Sequence, residues 1–116
     1  MSHFHTFRTK LTDAELLKAS LGDLGICVET NAMVRGTNGQ RVPAEIVAVL
    51  AGDYDIGWSR NAAGSFDLVA DLWAVAKQHN QAELMNAINQ KYALKQTLAQ
   101  AKQPGLQNAT VKVMVQ

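Results

Sequence analysis

The 116 residues include only one cysteine, two prolines and three histidines. Cys27 has no partner for an internal disulfide, and without a Cys-x-x-Cys pair there is neither a zinc ribbon nor a dithiol redox motif. A reducing, intracellular setting is the expectation. The opening Met1-Ser2-His3-Phe4-His5-Thr6 lacks the basic-then-apolar pattern of a signal peptide. The longest mainly apolar stretches, 44–52 and 66–76, fall well short of the roughly 20 residues that span a bilayer. Charge of one sign is also missing. Eleven basic and ten acidic residues leave a net charge of +1, too little for a field that draws nucleic acid or an anionic membrane.

What remains is ordinary soluble material. The chain is 47% hydrophobic with a mean hydropathy of −0.09, which excludes a disordered tail and a membrane-embedded chain. A chain of this length hides roughly two thirds of its unfolded surface on folding, enough for one core. No internal repeat or low-complexity linker interrupts it, so residues 1–116 are expected to form one domain.

Local patterns give an element order. His3–Lys10 alternates as a strand, and Thr12-Asp13-Ala14-Glu15 reads as a capping box opening a short helix that stops near Gly22 or Gly25. Ile26–Glu29 resumes as a strand. Asn38-Gly39 suits a tight hairpin turn, after which Val42, Ala44, Ile46, Ala48 and Leu50 share a face at period two. Tyr54, Ile56 and Trp58 share the next face, and Phe66 and Leu68 lead out of a turn at 61–64. Helices are expected over 69–78 and 82–102, the second opened by Asn80-Gln81-Ala82-Glu83, and Val111, Val113 and Val115 mark a last strand over 109–115. Strand, helix, strand meander, two helices and strand describe an α+β protein. The expected plan is a ferredoxin-like two-layer sandwich with an antiparallel sheet, its first and last strands central.

Several phrases go further than pattern. They are Met1-Ser2-His3-Phe4, Asp23-Leu24-Gly25, Arg35-Gly36, Tyr54-Asp55-Ile56-Gly57-Trp58, Leu68-Val69-Ala70-Asp71-Leu72-Trp73 and Lys91-Tyr92-Ala93, in that order. Through them the chain resembles, over nearly its whole length, the small proteins encoded as hypothetical chloroplast reading frame thirty-five. The two central phrases are the specific part. The resemblance implies a cyanobacterial or plastid lineage, with relatives in cyanophages. It implies no established activity and supplies no catalytic residues. Such relatives often run a little further after the last strand, so the end at Gln116 departs from their pattern.

The charged candidates each carry two readings. Arg35 and Arg41 stand at the feet of the hairpin, beside glycine amides, where two guanidiniums can grip a phosphate or carboxylate. The bland alternative is a solvated tip whose arginines pair with Glu29 or Glu45. The loop is no Walker motif, since the Gly-Lys-Ser/Thr ending is missing. Asp55, Asp67 and Asp71 can do acid–base work or bind a cation, or can cap turns and a helix start. Trp58 and Trp73 read as core. His3 and His5 share a strand face about 6.5 Å apart, and with His79 form only a weak metal set, so no metal or cofactor is expected. Lys91 and Lys95 interrupt the apolar half of the long helix. Their stems snorkel outward, or they meet Asp55, Asp67 or Asp71, or an anionic ligand sits there. An acidic stretch, 53–79, and a basic end, 80–116, are built to pair with each other or to present two faces to a partner.

No nucleophile–base or metal constellation emerges, and the strands lack the interleaved Arg and aromatic residues of an RNA-binding sheet. The favoured reading is a non-catalytic protein-interaction or regulatory module whose partner is another protein or a second copy of the chain. No nucleic acid or membrane partner is expected. The alternative is a small anionic-ligand binder or enzyme using Arg35, Arg41 and Lys95 with Asp71. The expected location is cyanobacterial cytoplasm, plastid stroma in algal relatives, or host cytoplasm for a phage-encoded copy.

Overall fold

The computed structural model describes residues 4–52, 54–71, 75 and 81–101. Along them run β1 (His5–Arg8), α1 (Ala14–Asp23), β2 (Cys27–Arg35), β3 (Arg41–Val49), β4 (Ile56–Arg60), β5 (Phe66–Ala70) and α2 (Gln81–Ala101), with a single 3-10 turn over Thr37–Gly39. The strands form a five-stranded sheet in the order β1-β5-β4-β3-β2, every neighbouring pair antiparallel.

The α+β class and antiparallel sheet therefore match the pattern in the chain, while the ferredoxin-like plan is not reproduced in this part of it. That plan separates the strands on either side of its first helix by one strand. Here β5, β4 and β3 all lie between β1 and β2. Four consecutive strands joined by short turns pair with their sequence neighbours before a helix intervenes. The expected last strand lies outside the described residues, and with it the pairing of first and last strands.

Several element boundaries move for local reasons. The N-cap of α1 is Asp13, not Thr12: its carboxylate accepts from the backbone N–H of Glu15 and Leu16. The backbone N–H of Thr12 and of Asp13 both donate to Tyr92 Oη on α2, at 3.1 and 3.0 Å, which ties the helix entry to the second helix. Val69 and Ala70 belong to β5 rather than to a helix, because they pair with Gly57 and Ile56 of β4 and with Thr6 and His5 of β1.

Both faces of the sheet bury residues. On one face Ile46, Trp58 and Leu68 stand in register and pack with Leu17 and Leu21 of α1 and Ile88 and Tyr92 of α2. The other face carries Val47 and Gly57, and the far half of the β2–β3 hairpin folds onto it. Val34, Ala44 and Val47 form a second buried cluster there. Strict alternation would keep Ala32 and Val34 with Val28, yet Val28 packs with the helices and the other two with the second cluster. The switch falls at Asn31, whose φ of 48° lies in the left-handed region that asparagine tolerates. Its neighbours across the ladder divide likewise. Val42 and Ala44 join the second cluster while Ile46, Ala48 and Leu50 stay with the first, so the five do not share one face. Gly57 makes room for the fold-over: a Cβ there would lie 2.3 Å from Val34 Cγ2 and 2.8 Å from Ala44 Cβ.

Candidate functional site

The folded hairpin brings its tip to the end of the sheet where β3 ends, β4 begins and β5 ends. Asn38 and Gly39 adopt φ of 58° and 73°, as the Asn-Gly turn signal requires. The tip closes through Gly36 N–H to Gln40 O at 2.8 Å. Two carboxylates then receive it.

Asp55, only 2% exposed, holds the guanidinium of Arg35 in a two-pronged pair, Nε to Oδ2 and Nη2 to Oδ1, both 2.8 Å. It also accepts the backbone N–H of Arg35 at 3.1 Å and of Leu50 at 3.3 Å. Arg35 returns a bond from Nη2 to Leu50 O at 3.3 Å, and its own carbonyl accepts Asp55 N–H at 3.2 Å. Planar guanidinium and carboxylate match in such a fork, and the extra amides occupy the remaining lone pairs that burial would otherwise leave bare. Asp71 is fully buried and accepts both the backbone N–H of Thr37, at 3.1 Å, and the Thr37 hydroxyl. Phe4 closes the cluster against Gly36, where a Cβ would come within 2.5 Å of the ring. Arg35, Thr37, Asp55 and Asp71 thus act as a latch.

The other candidates fall elsewhere. Arg41 is exposed and stands opposite Arg35 across the ladder, but Arg35 faces Asp55, so the two do not form a free pair. Neither arginine takes the Glu29 or Glu45 expected for a solvated tip; Glu45 meets Arg60 instead, at 3.4 Å. Asp67 accepts Asn61 Nδ2 at 2.9 Å beside the 61–65 turn. Lys95 pairs with Asp23 at the end of α1, at 2.8 Å, rather than with any acid of the central segment. That hydrogen bond, with a weaker attraction from the Lys95 and Lys91 charges, holds the Asp23 carboxyl below the usual aspartate range. Lys91 is half-buried. Lys95 therefore lies with the helices and Arg35 with the hairpin tip at the end of the sheet, each on a different acid. They do not make one anion site. His5 is exposed and stacks on Phe7 with ring centroids 6.3 Å apart. His3, His79 and Trp73 lie outside the described residues. Trp58 is completely buried in the core.

Asp23 and Thr37 were not singled out by sequence reasoning. Asp23 sits at a helix C-terminus, where the dipole disfavours an acid. That mismatch was the available signal for a cation nearby. Thr37 carried no such signal, because its role depends on the hairpin folding over.

No helix among the described residues is long and apolar enough to cross a membrane, and no group of His, Cys, Asp or Glu among them is arranged to hold a metal. A family model described as "Protein of unknown function (DUF1257)" matches residues 20–116. The chain is also 38% identical over 116 residues to the uncharacterized protein ycf35 of Guillardia theta, covering 97% of this chain and 89% of that protein. No solved structure matches. The latch residues Arg35, Thr37, Asp55 and Asp71 all fall inside the matched region, and the chain belongs to this family of unknown function, DUF1257.

Proposed function

We propose that this chain is a non-catalytic interaction module that docks a partner protein along the outer edge of β1. The observation that carries the reading is the state of that strand: all four of its residues are exposed, including Phe7 at 47%, and among the described residues only β5 pairs with it. Thr9 N–H donates to Phe66 O, so by alternation the N–H and C=O of Phe7 and His5 face β5 while those of Thr6 and Arg8 face outward. An outward row of donors and acceptors beside an exposed aromatic suits an extended segment of another chain. The use of Asp55 and Asp71 as fasteners also supports a module over an acid–base enzyme. A cyanobacterial or plastid compartment, or a phage-infected host, is the setting of this proposal.

The test is recovery of the tagged full chain from cyanobacterial cells, in parallel with Thr6→Pro and Phe7→Glu. Proline at position 6 removes an outward N–H without breaking a bond to β5. A stoichiometric protein retained by the native chain and lost from both folded variants supports the reading. Recovery of the chain alone, or a partner indifferent to both changes, overturns it.

A further inference from the structure

A strand added to the outer edge of β1 pairs with the outward N–H and C=O groups of Thr6 and Arg8. Its side chains then alternate between the two faces of the sheet. Phe7 stands in line with Leu68, Trp58 and Ile46, on the face that the helices pack against. Thr6 stands in line with Val69, Gly57 and Val47, and Arg8 with Asp67 and Ser59, on the other face. The residue opposite Phe7 therefore meets an exposed aromatic ring, and the residue opposite Arg8 meets a cation.

Three kinds of segment could supply such a strand: a second copy of β1, this chain's own end, or another protein. Charge separates them. The first acid in the sequence is Asp13, whereas Arg8 and Lys10 are both exposed and neither forms an ion pair among the described residues. Asp67, across the ladder from Arg8, is engaged by Asn61 Nδ2. Like charges set against each other on paired strands destabilise the pairing, and opposite charges support it. A second copy paired antiparallel about Phe7 would place Arg8 diagonal to its own counterpart on the same face. The chain's own period-two segment, 109–115, carries Lys112 and no acid. Both would bring cations to a cationic edge. An acidic segment of another protein brings the opposite charge.

We propose that the β1 edge takes an extended acidic segment of a partner protein, with one acid opposite Arg8, a second two positions away opposite Lys10, and an apolar residue opposite Phe7. The proposal rests on the edge reading above. The free backbone row makes the site, and the two cations select what pairs with it.

The test uses the full chain and a short blocked peptide that alternates glutamate with valine, beside the same peptide with glutamine or lysine in place of glutamate. Backbone N–H resonances of Thr6 and Arg8 report binding. Glutamine for glutamate should weaken binding by about twofold to fivefold for each exposed ion pair lost. The lysine peptide should bind at least about tenfold more weakly than the glutamate peptide. Arg8→Glu combined with Lys10→Glu should invert the preference. The milder Arg8→Gln with Lys10→Gln should erase it in a chain that keeps its unfolding temperature. Thr6→Pro should abolish binding of every peptide. Peptides that shift Thr6 and Arg8 whatever their charge overturn the acidic segment and leave the edge reading standing. Charge-selective binding that survives Thr6→Pro overturns it as well, since the acids then bind elsewhere. So does a chain that self-associates as a dimer dispersed by Thr6→Pro. A chain that binds none of the peptides also overturns it, while recovery of a cellular partner decides the edge reading separately.

Discussion

Asp55→Asn changes one oxygen into an amide, nearly preserves shape, and removes the charge that Arg35 meets. In the native chain the two carboxylate oxygens accept four hydrogen bonds, two at 2.8 Å from the guanidinium and two from backbone N–H groups at 3.1 and 3.3 Å. All four partners are donors, so whichever way the asparagine amide turns, its NH2 confronts at least one of them. Breaking a buried ion pair by removing one partner costs about 3–5 kcal/mol. The Arg35 side chain is 32% exposed, however, and water can solvate part of the stranded cation. The lower end, about 3 kcal/mol, is therefore expected, a fall in unfolding temperature of roughly 10–15 °C for a chain of this size. Arg35→Met should cost more than Asp55→Asn, because it leaves the buried partner of the pair uncompensated rather than the half-exposed one. Urea and thermal unfolding of both variants, with the double variant to close the cycle, measure these effects. Because the carboxylate is buried, salt at 0.5 M should change the coupling little. A loss below about 1 kcal/mol, or a coupling that vanishes in salt, would mean an ordinary surface pair and would refute the latch.

Three further outcomes follow from the same contacts. Gly57→Ala must push Val34 and Ala44 away from a crowded sheet face and should destabilise by about 1–3 kcal/mol in urea unfolding; a neutral result would sink the folded-over hairpin. Tyr92→Phe removes the acceptor of two backbone N–H groups at the entry to α1 and should cost about 1–3 kcal/mol, with faster amide exchange at Thr12 and Asp13 as its local signature. Asp23 has a lowered pKa in the folded state, so its contribution is present above the unfolded value of about 3.9 and is lost as pH falls from there through the folded value. Asp23→Asn should flatten that acidic part of the stability profile, and an unchanged profile would remove the Lys95 pairing from the argument.

The Asn38-Gly39 turn, the alternation through β4 and β5 and the 3.6-residue pattern of α2 were all legible because each signal is local. A turn needs its own residues in the left-handed region, and a helix or strand buries one face whatever lies opposite. The candidate site was legible only in its parts. Arg35, Asp55 and Asp71 stood out as charged residues in apolar or family-specific phrases. Arg35 meets Asp55 rather than Glu29 or Glu45, and Lys95 meets Asp23 rather than an acid of the central segment, because partners are chosen by long-range geometry. Lys95 is 72 residues from Asp23, and Arg35 meets Asp55 across a sheet end 20 residues away.

The shortage of cysteine, metal-ligating clusters and one-sided charge, together with periodicity and turn chemistry, determined the class of this protein from sequence alone: a mixed chain with an antiparallel sheet and amphipathic helices. Tertiary structure decided that the β2–β3 hairpin folds across the second face of the sheet, pivoting at Asn31 and lying close over Gly57. That single choice seats Arg35 and Thr37 of the hairpin tip on the buried carboxylates of Asp55 and Asp71. Sequence periodicity records only whether a residue is buried, whereas the sheet's packing on both faces determines what it is buried against.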